Sequence, residues 1–230
     1  MKVKSLHNLF SLFYPEVCIC CDTKLVDQED HICLECRIDL PFINNQFYDS
    51  NPLTDIFEGR IFIEKGASFL YFTELGKTKK IIHELKYKGN QRVGIFLGNW
   101  FGQQLLKSND FSRIDYIIPV PLHSKKMKQR GYNQLTKFGE TLASILGTDY
   151  SEAILKRISS TKTQTFKKRL ERFNNQDSKF VVENPAVLEN KHILLIDDVV
   201  TTGATLEACF LELIKAKSVK VSIVTMSLTQ

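Results

Sequence analysis

The residues best equipped for chemistry lie between positions 192 and 206, His-Ile-Leu-Leu-Ile-Asp-Asp-Val-Val-Thr-Thr-Gly-Ala-Thr-Leu. Four consecutive apolar residues, Ile193 to Ile196, lead into two adjacent carboxylates, Asp197 and Asp198. A short turn follows, Thr201-Thr202-Gly203-Ala204-Thr205, and an amphipathic run begins at Leu206. This order reads as a buried strand, an acidic strand end, an anion-binding turn and the head of a helix. In open α/β sheets ligands bind beyond the carboxyl ends of the strands, where these acids would stand. The turn offers backbone N–H groups and three hydroxyls. Gly203 allows close approach or a positive φ, and the helix adds the positive end of its dipole. Carboxylates that accept hydrogen bonds from sugar hydroxyls, beside a turn that grips phosphate, would suit a ribose 5-phosphate. The turn is not a Walker A loop, because it lacks the Gly-Lys-[Ser/Thr] ending.

A second set of chemical residues lies near the N-terminus, where residues 15–41 hold five of the six cysteines. Cys18-x-x-Cys21 is followed, after eleven residues, by Cys33-x-x-Cys36. Two such knuckles predict a tetrahedral four-thiolate zinc site, with a polar turn over Asp22–His31 between them. Cys20 is the spare thiol, since pairing through it breaks the first knuckle's spacing. His31 is a conceivable substitute ligand that four well-spaced thiols make unnecessary. A closed four-sulfur shell has no open position, so the Zn²⁺ is expected to be structural. Disulfides fit poorly with a chain that shows no export signal. Met1 to Tyr14 reads as a short amphipathic helix docked on its own domain, and Cys209 as a core residue.

The elements that must position these groups alternate in type. Strands are expected at 67–72, 115–120, 153–156, 179–182 and 219–226, besides the one that runs from Ile193 to its acidic end at Asp197 and Asp198. Helices are expected at 75–87, 93–106, 133–146 and 206–215. Strand and helix in alternation imply a parallel α/β sheet flanked by helices. Residues 42–60 read as a linker or loop, and 122–134 as a basic, flexible segment. At 230 residues, with 43% hydrophobic and 25% charged positions, the chain suits one well-buried domain with a small appendage. No run reaches transmembrane length, and a cytoplasmic protein is expected.

The net charge is +5, and it is unevenly spread. Residues 122–172 carry twelve Lys and Arg against four acids, so the remainder is net acidic. A cationic stretch beside a phosphate site can close over anionic ligands and exclude water. The same stretch, with Tyr132, Phe166 and Phe173 as stacking partners, also permits single-stranded nucleic acid binding.

The 192–206 stretch closely resembles the phosphoribosyl pyrophosphate (PRPP) motif of type I phosphoribosyltransferases. Several further segments, in order, resemble the ComF family (ComFC or GntX-like), phosphoribosyltransferase-like proteins linked to DNA uptake. They are the double Cys-x-x-Cys, His83-x-Leu85-Lys86-Tyr87-x-Gly89, Pro119-Val120-Pro121-Leu122-His123 and Gln129-Arg130-Gly131-Tyr132-Asn133-Gln134. Arg157, Thr161-x-x-Gln164, Arg172 with Asn175 and Phe180, and Asp197 to Thr205 follow. The resemblance implies a type I (Rossmann-like) sheet with an N-terminal zinc ribbon. Residues 1–45 would form the helix and ribbon, and 60–230 the phosphoribosyltransferase-like domain. It implies that Asp197 and Asp198 bind the ribose hydroxyls and are the catalytic pair, and that Thr201, Thr202, Gly203, Ala204 and Thr205 hold the 5-phosphate. Val120, Pro121, Leu122, Lys126 and Arg130 would hold the pyrophosphate, with Mg²⁺ accompanying PRPP. Single-stranded DNA and competence-machinery proteins are the implied partners. Two departures stand out. Lys126 replaces a common Arg and loses its planar fork. Thr201 stands where purine-salvage relatives carry an Asp that deprotonates the nucleobase, which argues against hypoxanthine or guanine as acceptor.

Overall fold

The computed structural model describes residues 15–45, 48–158 and 179–230. The helix expected over 1–14 and the positions 159–178, which include Thr161, Gln164, Phe166, Arg172, Phe173 and Asn175, lie outside them. Five apolar runs form one parallel sheet: β1 (Gly66–Phe72), β2 (Tyr116–Pro119), β3 (Asp149–Tyr150), β6 (His192–Val200) and β7 (Lys220–Thr229). Their order is β1-β7-β6-β2-β3, and every pairing is parallel. A separate antiparallel pair joins β4 (Leu155–Arg157) to β5 (Phe180–Val182). The central strands carry runs of fully buried residues, such as Ile193 to Ile196, as expected when both faces are covered.

After β2 the chain moves outward to β3, and after β6 it moves the other way, to β7. The junction of β2 and β6 is therefore the topological switch point, where a crevice opens beyond the strand ends. Register makes this crevice asymmetric. On the β2 side the last pair is Pro119 with Ile196. On the β7 side pairing continues from Asp197–Thr225 to Val200–Leu228. The acids expected at the strand's carboxyl end are part of β6, which runs on to Val200 because β7 goes on pairing after Pro119 has ended β2.

The covering helices are α3 (Lys77–Tyr87), α4 (Arg92–Ser108), α6 (Thr136–Leu146) and α7 (Ala204–Leu213). Gly94, Gly98 and Gly102 recur every fourth residue of α4 on the face that meets α6. A Cβ on Gly98 would stand 2.8 Å from Thr141 Cβ, so the two helices approach through their backbones.

Two segments without clear periodicity are ordered. Residues 124–130 form helix α5 (Ser124–Arg130) rather than a flexible loop. The His123 side chain accepts from Lys125 N at its head and Gly131 closes it at φ +77°. Residues 52–55 form α2 (Pro52–Asp55), capped by Asn51, and this stretch buries Leu53 and Phe57 instead of bridging solvent. The cysteine-rich region contributes α1 (Leu34–Ile38). It joins the sheet edge by an antiparallel bridge between Phe42 and Leu70. Phe42, Phe69 and Trp100 meet edge-to-face with centroids 5.0–5.4 Å apart.

Candidate functional site

Asp197 and Asp198 project from the overhang of β6 on opposite faces, as a strand requires. Asp198 is buried and both its oxygens are engaged. Lys86 Nζ, at the end of α3, donates to Oδ1 at 2.8 Å, and Gln134 Nε2 donates to Oδ2 at 2.7 Å. Gln134 Oε1 accepts from Arg130 Nη1 at 2.6 Å, and the Arg130 guanidinium lies 5.0 Å over the Tyr87 ring. The Tyr132 hydroxyl donates to Leu85 O at 2.5 Å, which ties the turn after α5 to α3. Two sequence blocks far apart in the chain, Leu85-Lys86-Tyr87 and Arg130 to Gln134, thus converge on one carboxylate.

Asp197 is the less satisfied of the pair. Its Oδ1 accepts from the Asp198 N–H at 2.8 Å. Loss of hydration first, and the Asp198 charge second, push its carboxyl up to about 8, against the pull of Lys86 and Lys126. One acid near neutrality thus stands beside one locked in an ion pair.

The 201–205 turn is shaped from outside itself. Gly203 has φ +72°, and a Cβ there would stand 2.7 Å from Phe57 Cε1 and 2.8 Å from Ile56 Cγ2. Only glycine meets both demands. Arg60 Nη1 donates to Thr202 O at 2.7 Å and to Ile56 O at 3.1 Å. The same guanidinium pairs with Glu207 in the first turn of α7. Thr201, Thr202, Ala204 and Thr205 are exposed, the N-cap Gly203 has no side chain to cap α7, and Thr202 Oγ1 accepts from Ala204 N at 3.4 Å; helix N–H groups so placed can bind an anion.

Across the crevice, the Val120 N–H donates to Ile196 O at 2.9 Å, and Pro121 has no N–H. Of Val120, Pro121 and Leu122, only Leu122 therefore has an amide to offer an anion. Lys126 is exposed on α5, while Arg130 is tied to Gln134 and Tyr87.

Residues 137–228 match the phosphoribosyl transferase domain family. DNA utilization protein YhgH of Salmonella typhimurium is 30% identical over 128 residues, 54% of this chain and 56% of that protein. Competence protein F of Haemophilus influenzae is 37% identical over 93 residues, 39% of this chain and 40% of that protein. Competence protein ComFC of Bacillus subtilis is 27% identical over 212 residues, 89% of this chain and 81% of that protein. In these matches the chain is similar to ComF-type competence proteins and, over residues 137–228, to phosphoribosyl transferase domains. It spans about half the length of the first of these relatives. Among solved structures, adenine phosphoribosyltransferase from Saccharomyces cerevisiae has a TM-score of 0.36 at 18% identity, covering 62% of this chain and 69% of that one.

The second cluster also assembles. The sulfurs of Cys18, Cys21, Cys33 and Cys36 all lie within 4.8 Å of one another, a donor set that can hold a metal such as zinc. Cys18 Sγ accepts from Cys20 N and Cys33 N, each at 3.4 Å, the backbone support a ligating thiolate needs. Cys20 turns away. Its Sγ lies 4.0 Å from Lys77 O, outside the four-sulfur cluster, and burial pushes its thiol up to about 12. His31 packs edge-to-face on Phe96, 5.7 Å between centroids.

Sequence reasoning missed Arg60, Ile56 and Phe57, which shape the 201–205 turn from within the supposed linker. No local signal marks them. Lys86 and Gln134 were within matched motifs, but their spacing could not reveal a shared partner.

Proposed function

We propose that this chain binds PRPP in the crevice beyond β2 and β6 and transfers its 5-phosphoribosyl group to an acceptor. The observation that carries this reading is the paired acids on the overhang of β6, at the switch point, directly before the exposed turn that leads into α7. In it, Asp197 and Asp198 meet the ribose hydroxyls and Thr201 to Thr205 hold the 5-phosphate. Leu122, Lys126, Arg130 and Lys86 meet the pyrophosphate end. Mg²⁺ would enter on the phosphate oxygens and neutralise part of their charge.

In the reaction the C1–O bond breaks and pyrophosphate leaves with the electron pair, while an acceptor lone pair forms the new bond to C1 and the acceptor's proton is released. The cations described stabilise the charge that develops on the leaving group. With Thr201 in the turn, no loop carboxylate takes that proton, which disfavours an acceptor that must be deprotonated there.

In the same reading the four cysteines hold Zn²⁺ as a structural ion, and the protein acts in the cytoplasm. Its role would lie in natural competence and the handling of incoming single-stranded DNA, alongside competence-machinery proteins. The names of the relatives, competence protein and DNA utilization protein, support this setting. They also support a second reading, a nucleic-acid-binding competence factor or PRPP sensor without turnover. Calorimetry with PRPP and Mg²⁺, with Asp197→Asn/Asp198→Asn as control, tests the first. Binding by the native chain alone is expected; no binding, or equal binding by both, would sink it. Pyrophosphate release with candidate acceptors separates transferase from sensor.

A further inference from the structure

Gln134 is 6% exposed, in a turn otherwise surrounded by solvated cations. Its amide bridges two charged groups: Nε2 to Asp198 Oδ2 at 2.7 Å and Oε1 to Arg130 Nη1 at 2.6 Å. Only one orientation of the amide serves both, because a carboxylate only accepts and a guanidinium only donates. We propose that Gln134 is a positioning residue that couples the ribose end of the crevice to its pyrophosphate end. This inference rests on the reading of the crevice as a PRPP site.

Asp198 is 5% exposed and each of its oxygens already holds a donor, so a sugar hydroxyl gains room at the carboxylate when one of these partners moves aside. The Lys86 contact is an ion pair; the Gln134 contact joins a neutral amide to the carboxylate and yields first. At the other end, Arg130 is held by Gln134 and by the face of Tyr87. The Gln134 contact occupies Nη1, so Arg130 offers the end of its fork, Nη1 with Nη2, to a pyrophosphate when it turns away from Gln134.

Each half of the ligand thus opens the same Asp198–Gln134–Arg130 chain. Each breaks a different link, but the Gln134 amide is fixed from both ends, so loss of one link removes the support of the other and the second ligand meets a loosened contact, which is positive coupling. The backbone around Gln134 stays pinned meanwhile, since Asn133 Oδ1 accepts from Leu135 N at 3.1 Å and Tyr132 is tied to Leu85. The change is confined to side chains.

The test measures binding of ribose 5-phosphate and of inorganic pyrophosphate, each with Mg²⁺, separately and in the presence of the other. Repulsion between the two anions is common to native chain and variant, so the ratio of their coupling factors isolates Gln134. Gln134→Leu is expected to lower the factor by about fivefold or more, equally in both directions of titration. Gln134→Glu keeps an acceptor for Arg130 but removes the donor to Asp198, and the same loss is expected there; it decides the matter if the Leu variant does not fold. Both ligands binding with unchanged coupling in a folded variant overturns the proposal and leaves the PRPP reading standing. A native chain that binds neither ligand overturns both.

Discussion

Asp197 and Asp198 are neighbours in sequence with opposite electrostatic situations. Asp198 is paired with Lys86; Asp197 holds its proton to about 8 against an ordinary value of 3.8. Below about pH 4 Asp197 is protonated in both folded and unfolded chains and contributes nothing to pH dependence. Between there and about 8 the unfolded chain releases the proton and the folded one retains it, so stability falls as pH rises. Asp197→Asn removes this slope. Its melting temperature should exceed the native one by about 4 °C at pH 8, about 1–2 kcal/mol, and match it at pH 4. Equal shifts at both pH values in circular-dichroism melts would refute this. For the neighbouring pair, Lys86→Met leaves Asp198 a buried charge supported by one amide. A loss of about 2–3 kcal/mol is expected. Adding Asp198→Asn should recover much of it, and a denaturant double-mutant cycle showing plain additivity would rule the coupling out.

At the scale of elements, the 201–205 turn is a joint between β6, α7 and the 52–61 segment. Gly203→Ala forces a side chain into φ +72° and into Phe57, and should cost about 2–3 kcal/mol or displace the turn. Phosphate-dependent affinity would then fall more than tenfold, as calorimetry with ribose 5-phosphate can check. The half of this joint contributed by residues 192–206 was legible in the sequence. Its strand, acids, turn and helix are contiguous, and each has a local signature. The other half was not, because Arg60 reaches Thr202 across 142 positions and no periodicity announces such a contact. Helix α5 escaped for a related reason. Ser-Lys-Lys-Met-Lys-Gln-Arg buries no residue, so it has no apolar stripe to read, and its caps, His123 and Gly131, are what order it. The sheet order was equally hidden, since alternation of strand and helix predicts parallel pairing but not that β6 overhangs β2.

At the scale of the whole molecule, α3 joins the two chemical centres. Near its start, Lys77 Nζ pairs with Asp39 at 2.8 Å and Lys80 Nζ donates to Cys20 O at 2.6 Å, which fastens the cysteine region. At its end, Lys86 holds Asp198. The cysteine region contributes only the five-residue α1 as helix, and its own apolar core is little more than the thiols and Ile32. Its order must then depend on the ion the four sulfurs would hold and on the aromatic contact with the sheet edge. That contact includes Trp100, the single tryptophan, set against Phe42, Phe69 and Phe96 with the Arg37 guanidinium 5.8 Å above it. A chelator, or Cys33→Ser, should therefore loosen the region, wet Trp100 and shift its emission to the red. Restoring Zn²⁺ to the chelated native chain should reverse the shift. The sheet has an independent core, so the far-ultraviolet signal of its helices and strands should survive. Loosening at the start of α3 should also reach Lys86 and weaken ribose 5-phosphate binding several-fold. Unchanged emission after complete metal removal would mean that the aromatic contact, and not the metal, holds the cysteine region in place.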